Sequence, residues 1–395
     1  MTDDHLVQIA RFHQLTALDL RDTRLTDNGL RHVAKLEGLE QLYIGGTAVT
    51  ADGLTHLRNL TNLKVLNLKK LPIDSDTFTR HLGALTSISG LNLDGTSFDD
   101  EGLQALSELG NLQALVLPGA VTDTGLGHLA THTQLATLVL DKSGVTDEGL
   151  PKLAPLVALE RLSLRNTRVT LGGVCKLAAP RTELAIAFPQ GSLSDGKMVL
   201  HKAVGDDDLA VVAQLNQLKS LTLSDTRVGD AGLIHLSKMF NLEQLVLPRS
   251  ITDKGLVHLG RLSGLKQLAA LGRGITGPGL KSLESLTSLE EFSVDGTRID
   301  DIGLFHLGRL GNLKRLSCRK TQITDKGLAN LSNLSLLQTL RLGYNQVSDK
   351  GLIHLASLPN LRSLALDHTR VTGTGLIVLK RLTRLRMLDL GGTTV

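Results

Sequence analysis

Apolar residues recur along the chain with a period near 24 residues, each copy beginning with the pattern LxxLxL. The starts of successive copies are separated by fifteen intervals. Fourteen of these measure 22–25 residues, and the remaining one measures 37. Such a fixed period predicts an array of stacked structural repeats. The copies begin at Leu15, Leu39, Leu63, Ile88, Leu112, Leu135, Leu159, Arg181, Leu218, Leu242, Leu265, Leu289, Leu313, Leu337, Leu361 and Leu385.

The first copy, LTALDLRDTRLTDNGLRHVAKLEG, shows how one unit is expected to fold. Leu18 and Leu20 alternate with polar residues, which predicts a short strand with one buried face. The Thr-Asp pair at 26–27 is a helix-capping signal. Leu30 and Val33 follow at helical spacing, so the second half of the unit is predicted to be a helix.

Glycine recurs in the helix half of the repeat, at the third position after the cap. A residue without a side chain there is expected to let adjacent coils approach closely. The chain has 40 Gly and only 9 Pro, which fits many regular turns rather than a disordered linker. The position is occupied by Gly29, Gly53, Gly102, Gly125, Gly149, Gly232 and Gly255.

One unit cannot bury its apolar face alone, so the units are expected to stack. The predicted fold class is α/β: a solenoid of about 16 repeats over residues 1–395, with a parallel sheet on the concave side and helices on the convex side. Aromatic residues make up 2% of the chain and Trp is absent, so Leu and Val are expected to form the core.

The repeat resembles the leucine-rich-repeat superfamily over essentially the whole chain. Its TDxGLxxL half is similar to F-box/leucine-rich-repeat receptors and to bacterial, planctomycete-like repeat proteins. The 24-residue length and the Thr at position nine favour the bacterial type, and no F-box motif precedes the repeats. The resemblance implies a horseshoe-shaped solenoid that binds another macromolecule.

Both ends depart from the complete repeat. Residues 2–14 read as a helix half without its strand, with Leu6, Ile9 and Phe12 predicted to face inward. The last copy stops at Val395, after its strand. Because solenoids need polar end caps, we expect a fragment of a longer protein, or ends covered by a partner.

The 37-residue interval indicates an insertion of 13 residues, at 189–201, within the eighth repeat. Asp195-Gly196 between apolar alternations predicts a hairpin turn, and Ser194, Asp195, Gly196 and Lys197 form the predicted loop. Insertions in solenoids often lie on the binding face. A binding loop and a neutral surface insertion both remain open.

Several motifs for catalysis are absent from the sequence: it has no P-loop, HExxH, CxxC or GxSxG. We therefore expect no catalytic residues, no cofactor, no metal and no small-molecule substrate. The run Asp206–Asp208 could suggest a metal site, but Asp206 aligns with the Asp of the repeat. Histidine recurs in GLxHL as a product of duplication, at His32, His56, His128, His235, His258, His306 and His354.

Cys175 and Cys318 are far apart, and no cysteine cluster closes either end, which favours a reducing compartment such as the cytoplasm. Neither a signal peptide nor an apolar stretch of about 18 residues is present. The net charge of +4 is mildly basic, but stacking aromatics and dense basic runs are lacking. A protein partner is therefore expected, rather than a nucleic acid or a membrane.

The fifth position of each copy is predicted to face outward on the sheet. Val116, Val139 and Val246 would then form an apolar stripe, which is typical of an interaction surface; ordinary strand propensity is the alternative. Candidate partner-binding residues on the sheet are Tyr43, Val116, Val139, Ser163, Thr222 and Val246. The full row is Asp19, Tyr43, Asn67, Asn92, Val116, Val139, Ser163, Ala185, Thr222, Val246, Ala269, Ser293, Ser317, Arg341, Ala365 and Asp389.

A second candidate is basic. Arg315, Arg319, Lys320 and Arg341 cluster on or beside the later strands and could receive an acidic segment of a partner. A solvated face balanced by Asp295 and Asp367 is the alternative.

Two functions remain open from the sequence. The first is a non-catalytic scaffold that binds a protein on the concave face. The second is a regulatory or substrate-recognition segment of a larger signalling protein, enzyme or F-box-like ubiquitin ligase receptor. The sequence does not indicate an oligomeric state.

Overall fold

The computed structural model describes residues 2–201 and 203–395, in two compact units, Met1–Asp195 and Gly196–Val395. Each unit alternates three- or four-residue strands with short helices. The predicted α/β solenoid is confirmed in each unit, although many of the helical segments are one-turn α-helices or 3-10 helices.

In the first unit, β1 to β8 pair in chain order and in parallel. The strands are β1 (Ala17–Asp19), β2 (Gln41–Tyr43), β3 (Val65–Asn67), β4 (Gly90–Asn92), β5 (Ala114–Val116), β6 (Thr137–Val139), β7 (Arg161–Ser163), β8 (Ala185–Phe188) and β9 (Gly191–Ser194). The α-helices are α1 (Asp3–Ile9), α2 (Asp27–Val33), α3 (Ala51–Leu54), α4 (Ser75–His81), α5 (Asp100–Ala105) and α6 (Leu171–Ala178). The 3-10 helices are Thr55–Asn59, Leu106–Glu108, Gly125–Thr131 and Leu150–Leu153.

In the second unit, β10 to β18 also pair in chain order and in parallel. The strands are β10 (Lys197–Leu200), β11 (Ser220–Thr222), β12 (Gln244–Val246), β13 (Gln267–Ala269), β14 (Glu291–Ser293), β15 (Arg315–Ser317), β16 (Thr339–Arg341), β17 (Ser363–Ala365) and β18 (Met387–Asp389). The α-helices are α7 (Asp208–Val212), α8 (Asp253–Leu256), α9 (Asp301–Leu307), α10 (Asp325–Leu328), α11 (Asp349–Leu355) and α12 (Leu376–Leu379). The 3-10 helices are Gly232–Lys238, Pro278–Leu283 and Ala329–Leu331.

The core of each unit lies between its sheet and its helices. In a typical strand such as β3, the middle residue Leu66 is fully buried, while Val65 and Asn67 are half-buried on the outward face. This is the period-two pattern of a sheet with one covered face. The helix half contributes Leu54 and Leu57, both fully buried. Stability is thus distributed over many leucines, each contributing roughly 1.5–3 kcal/mol.

The Thr-Asp pair of the repeat joins adjacent coils. Asp27 begins α2, and its carboxylate accepts the Thr50 backbone N–H at 2.8 Å and the Thr50 hydroxyl at 2.6 Å. Either Thr26 or Asp27 was expected to cap the helix; Thr26 takes the N-cap position, and Asp27 holds the Thr of the next coil. The same two bonds occur for Asp3–Thr26, Asp100–Thr122, Asp123–Thr146, Asp147–Thr170, Asp230–Thr252, Asp253–Thr276, Asp301–Thr324, Asp325–Ser348 and Asp349–Thr372.

The recurrent glycine makes room for this carboxylate. A Cβ added at Gly53 would overlap the carboxylate of Asp27. The expected close approach of coils is therefore confirmed, with a specific partner. Asp206 has the same place in its coil: it accepts the Gly229 N–H at 2.6 Å and lies against Gly232. These contacts support the interpretation of Asp206 as the Asp of the repeat rather than as a metal ligand.

The segment predicted as an insertion forms strands. β9 turns back on β8 and pairs antiparallel to it, with Ala187 opposite Ser192. Asp195 and Gly196 have φ of 50° and 69°, the positive values that a type I′ turn requires. β10 has the register of a repeat strand, because Met198 pairs with Leu221.

The alignment of the eighth copy on Arg181 is wrong by two residues. Ala187, rather than Ala185, lies opposite Ser163 in the sheet. The inward residues are Ile186 and Phe188, both nearly fully buried. A shift of two residues leaves every side chain on its original face, so the apolar pattern alone could not detect this error.

The first coil also departs from its prediction. Leu6 is buried and Ile9 half-buried, but Phe12 is 63% exposed. α1 ends at Ile9, so Phe12 lies beyond the helix, in a coil that packs against one neighbouring coil only.

Candidate partner-binding surface

The outward row of the first unit brings four candidate residues onto one sheet. Val116 and Val139 are opposite each other on β5 and β6, and Ser163 follows on β7. All three are half-buried. Tyr43 lies on the same face, on β2, where its hydroxyl contacts Gln41 at 3.1 Å and Arg21 lies 5.4 Å from its ring centre. Three strands separate Tyr43 from Val139, so it belongs to the row but not to the central cluster.

A shallow depression of about 330 Å³ lies over β6 to β9. Its floor is apolar, and Val139, Ala185 and Ala187 contribute outward side chains to it. Arg161 and Arg165 also line it. The surface therefore combines apolar and cationic side chains, as protein interfaces commonly do.

Hydrogen bonds fix part of this surface. Asp141 accepts the Ser163 hydroxyl at 2.6 Å and the Arg165 backbone N–H at 2.8 Å. Ser163 is therefore bound to its own unit, and its hydroxyl donates to Asp141 rather than outward. Val139, with no polar group, is the better candidate for contact with a partner.

The loop residues of the predicted insertion do not form one cluster. Ser194 ends β9 and lines the depression in the first unit. Asp195 and Gly196 form the turn, and Lys197 begins β10, where it pairs with Ser220.

In the second unit, Thr222, Val246, Arg315 and Arg341 line another depression, of about 480 Å³. Arg315 forms an ion pair with Glu291, whose hydrogen bond raises the pKa of the guanidinium. Among the described residues, Arg341 has no carboxylate within ion-pairing distance. The predicted outward positions are thus brought together here, but in a more polar setting than in the first unit.

Arg319 and Lys320 lie outside that depression, beyond the end of β15. Arg319 donates to the nearly buried Asp367 at 2.7 Å, and its backbone N–H donates to Asp295 at 2.7 Å. Of the two carboxylates predicted to balance this face, Asp367 therefore pairs with the Arg319 guanidinium, whereas Asp295 contacts its backbone.

The two units differ in charge. Residues 1–195 contain 17 Lys and Arg against 22 Asp and Glu, a formal charge of −5. Residues 196–395 contain 26 against 17, a formal charge of +9. The net value of +4 conceals this asymmetry, which indicates that the second unit attracts anionic partners.

An exposed apolar row on the helices of the second unit was missed by the sequence analysis. It occupies the residue after the Gly-Leu pair of the repeat, where Lys281 and Ala329 interrupt it. Its members are 48–67% exposed: Ile234, Val257, Phe305, Ile353 and Ile377. The same position in the first unit holds Arg31, Thr55, Gln104, Gly127 and Pro151. Comparing the variable positions between the two halves would have revealed it.

Within the described residues, no group of three or more His, Cys, Asp or Glu side chains is arranged to hold a metal. His306 contacts Glu284 at 2.6 Å rather than a neighbouring histidine. Both cysteines are buried, and burial raises the pKa of the Cys175 thiol to about 12. Within the described ranges, no helix is long and apolar enough to cross a membrane.

His132 is a further residue that the sequence analysis missed. It is 1% exposed, and neither ring nitrogen has a hydrogen-bond partner. Burial lowers the pKa of this imidazole. His132 stands three residues before the LxxLxL pattern of its copy, a position that is leucine in other coils, as at Leu109 and Leu156. A histidine at this leucine position could have identified it in the sequence.

Comparisons with known proteins agree with this architecture. A family model described as a leucine-rich repeat matches residues 13–34 and 333–356. No curated protein matches the chain significantly.

Among solved structures, a leucine-rich-repeat protein of Leptospira interrogans has a TM-score of 0.56 and 20% identity, covering 96% of this chain and 91% of its own. An internalin of Listeria monocytogenes has a TM-score of 0.36 and 21% identity, covering 98% of this chain and 94% of its own. A second Listeria monocytogenes internalin has a TM-score of 0.45 and 25% identity, covering 56% of this chain and 92% of its own. The repeats, the strand-and-helix coils, the family match and the Leptospira structure together identify the fold as that of the leucine-rich-repeat superfamily.

Proposed function

We propose that this chain is a non-catalytic recognition scaffold that binds a protein partner on the outward face of the first unit's sheet. The observations that carry this proposal are the neighbouring outward side chains of Val116 and Val139 and the largely apolar depression that Val139, Ala185 and Ala187 line. Solvent would favour polar side chains there, and contiguous apolar surface is typical of interaction sites.

The surrounding chemistry supports a protein rather than a small molecule. The depression is open and shallow, and it continues into a row of outward side chains across neighbouring strands. Such a surface can contact a partner over several repeats, as extended solenoid faces do. The similarity in fold to a leucine-rich-repeat protein is consistent with binding but does not identify a partner.

The test is capture from source-cell lysate by the immobilised chain and by the double variant Val116→Glu/Val139→Glu. We expect retention of a specific partner to fall about tenfold or more in the variant, because two carboxylates would be desolvated at the centre of the interface.

The matched control is Val7→Glu/Val157→Glu, which adds the same charge to the same unit at side chains that are 43% and 80% exposed. This control should retain the partner, and both variants should keep the melting behaviour of the native chain. Equal retention by all three proteins would refute binding on this face.

A further inference from the structure

A cationic cleft lies at the edge of the second unit's sheet, where β12 to β16 pass into the following turns. It measures about 600 Å³. The lining includes four cations, which are Arg249, Arg273, Arg319 and Lys320. This cleft adjoins the depression over the strands, with Asp295 lining both, and it is formed by residues beyond the strand ends.

One glycine keeps part of the cleft open. Gly296 takes the eighth position of its copy, which Arg249 and Lys320 occupy in other copies, so no side chain extends into the cleft there. Nothing lies within 4 Å of a Cβ added at Gly296. The cations therefore stand on either side of an open space rather than on a crowded surface.

One wall of the cleft is held in place by contacts inside the unit. Arg319 is anchored to Asp367, which is 6% exposed. Tyr344 stacks on His368 with ring centres 4.3 Å apart, and Arg319 lies 5.7 Å from the Tyr344 ring centre. A wall that is already ordered loses little conformational entropy when a ligand binds.

Three of the cations are available to a ligand. Arg249, Arg273 and Lys320 are exposed, and no carboxylate of the described residues lies within ion-pairing distance of them. The one carboxylate in the lining, Asp295, accepts the Ser317 hydroxyl and the Arg319 backbone N–H through the same oxygen. Four cations thus stand against two carboxylates, Asp295 and the Asp367 that binds Arg319, and the cleft keeps a positive charge.

We propose that this cleft binds an acidic peptide segment of a protein partner. The proposal assigns a second surface, on the other unit from the sheet-face site, and it names the chemistry of what binds there. Two arginines can each hold a carboxylate with paired N–H groups, and Lys320 adds a point charge. The formal charge of +9 on this unit would also accelerate the approach of an acidic segment.

The structure favours a peptide over a nucleic acid. Single-stranded nucleic acids need aromatic faces on which bases stack. One face of Tyr344 is occupied by His368, and it is the single aromatic residue that lines the cleft within the described chain.

The experiment measures binding of a fluorescent Glu-rich peptide to the full chain by anisotropy, with a Gln-for-Glu peptide for comparison. We expect the Glu-rich peptide to bind and its affinity to fall as salt increases. The variant Arg249→Gln/Arg273→Gln/Lys320→Gln should bind about tenfold or more weakly.

The matched control is Lys238→Gln/Lys254→Gln/Lys350→Gln, which removes the same charge from exposed positions on the helical side of the same unit. This control should bind within about twofold of the native chain. Equal weakening in both triple variants would show attraction by net charge alone and would overturn the proposal.

A second pair of variants tests the cleft without removing its cations. Gly296 has φ of 73°, a conformation that Asn and Asp tolerate and that Asp22 adopts at the same position of the first copy. Gly296→Asp should weaken binding of the Glu-rich peptide more than Gly296→Asn does. The two new side chains have nearly the same shape, and only the aspartate repels the glutamates of the peptide.

Equal binding by these two variants would overturn the proposal, as would tight binding of single-stranded RNA with no binding of the peptide. The sheet-face variants Val116→Glu/Val139→Glu should leave peptide binding unchanged, since they lie in the other unit. Failure of one proposal is therefore distinguishable from failure of the other.

Discussion

Replacement of Gly279 by alanine is expected to lower the free energy of unfolding by about 3 kcal/mol. The added Cβ would overlap the carboxylate of Asp253. That carboxylate holds the Thr276 backbone N–H at 2.8 Å and the Thr276 hydroxyl at 2.5 Å. Moving it breaks two charge-assisted hydrogen bonds between adjacent coils and leaves their donors without partners. Chemical denaturation followed by circular dichroism measures the effect.

Gly311→Ala is the matched control in the same unit. Nothing lies within 4 Å of a Cβ added there, and the residue does not have positive φ. Its stability should stay within about 0.5 kcal/mol of the native chain. If both substitutions change the free energy of unfolding by the same amount, the change arises from backbone entropy in general. The role assigned to the Asp-Thr hydrogen bonds would then be wrong.

Replacement of His132 by leucine is expected to stabilise the chain by about 2 kcal/mol. The imidazole is buried with both nitrogens unpaired, at a position where neighbouring coils have leucine. Leucine removes the buried polar atoms and restores the side chain that the coil is built around. Thermal and chemical denaturation at neutral pH measure the gain.

The same variant should change the dependence of stability on pH. Burial holds the pKa of His132 below its ordinary value, so the folded state binds a proton less readily than the unfolded state. The native chain therefore loses stability as the pH falls below about 6.5, the ordinary histidine pKa. The His132→Leu variant should lose less stability than the native chain over that pH range. A gain in stability that is the same at pH 7.5 and pH 5.5 would contradict this explanation.

The repeat and the fold could be predicted because each feature follows from local sequence. Alternation such as Leu18 and Leu20 specifies a strand with one buried face, and the Leu30–Val33 spacing specifies the helix. The long-range role of Asp27 could not be predicted in the same way. A carboxylate after a threonine is a capping signal by itself, and only the stacking of coils shows that it bonds to Thr50.

The insertion shows a different limit. Asp195-Gly196 predicted a turn correctly because positive φ is a local property of those residues. The strand register of Ile186 was wrong because a two-residue shift preserves the pattern of faces. The pairing of β9 with β8 depends on contacts across the chain, which periodicity does not encode.

The positions of the candidate residues in the fold were predicted in part. Counting outward positions identified Val116 and Val139, and the structure places them side by side. Arg319 was grouped with Arg341 from their proximity in sequence, although Arg319 lies in the edge cleft and Arg341 in the strand depression. The contribution of Arg249 and Arg273 to that cleft depends on the stacking of successive coils, and no charge run in the sequence indicated it.

Hydroxyl-radical footprinting of the chain with its captured partner tests the recognition proposal most directly, because it reports on individual exposed side chains. The proposal predicts that the partner protects Val116 and Val139 from oxidation and leaves Val157 unchanged. Protection of the helix-side residues Ile234, Phe305 and Ile353, with Val116 and Val139 as reactive as in the free chain, would contradict it.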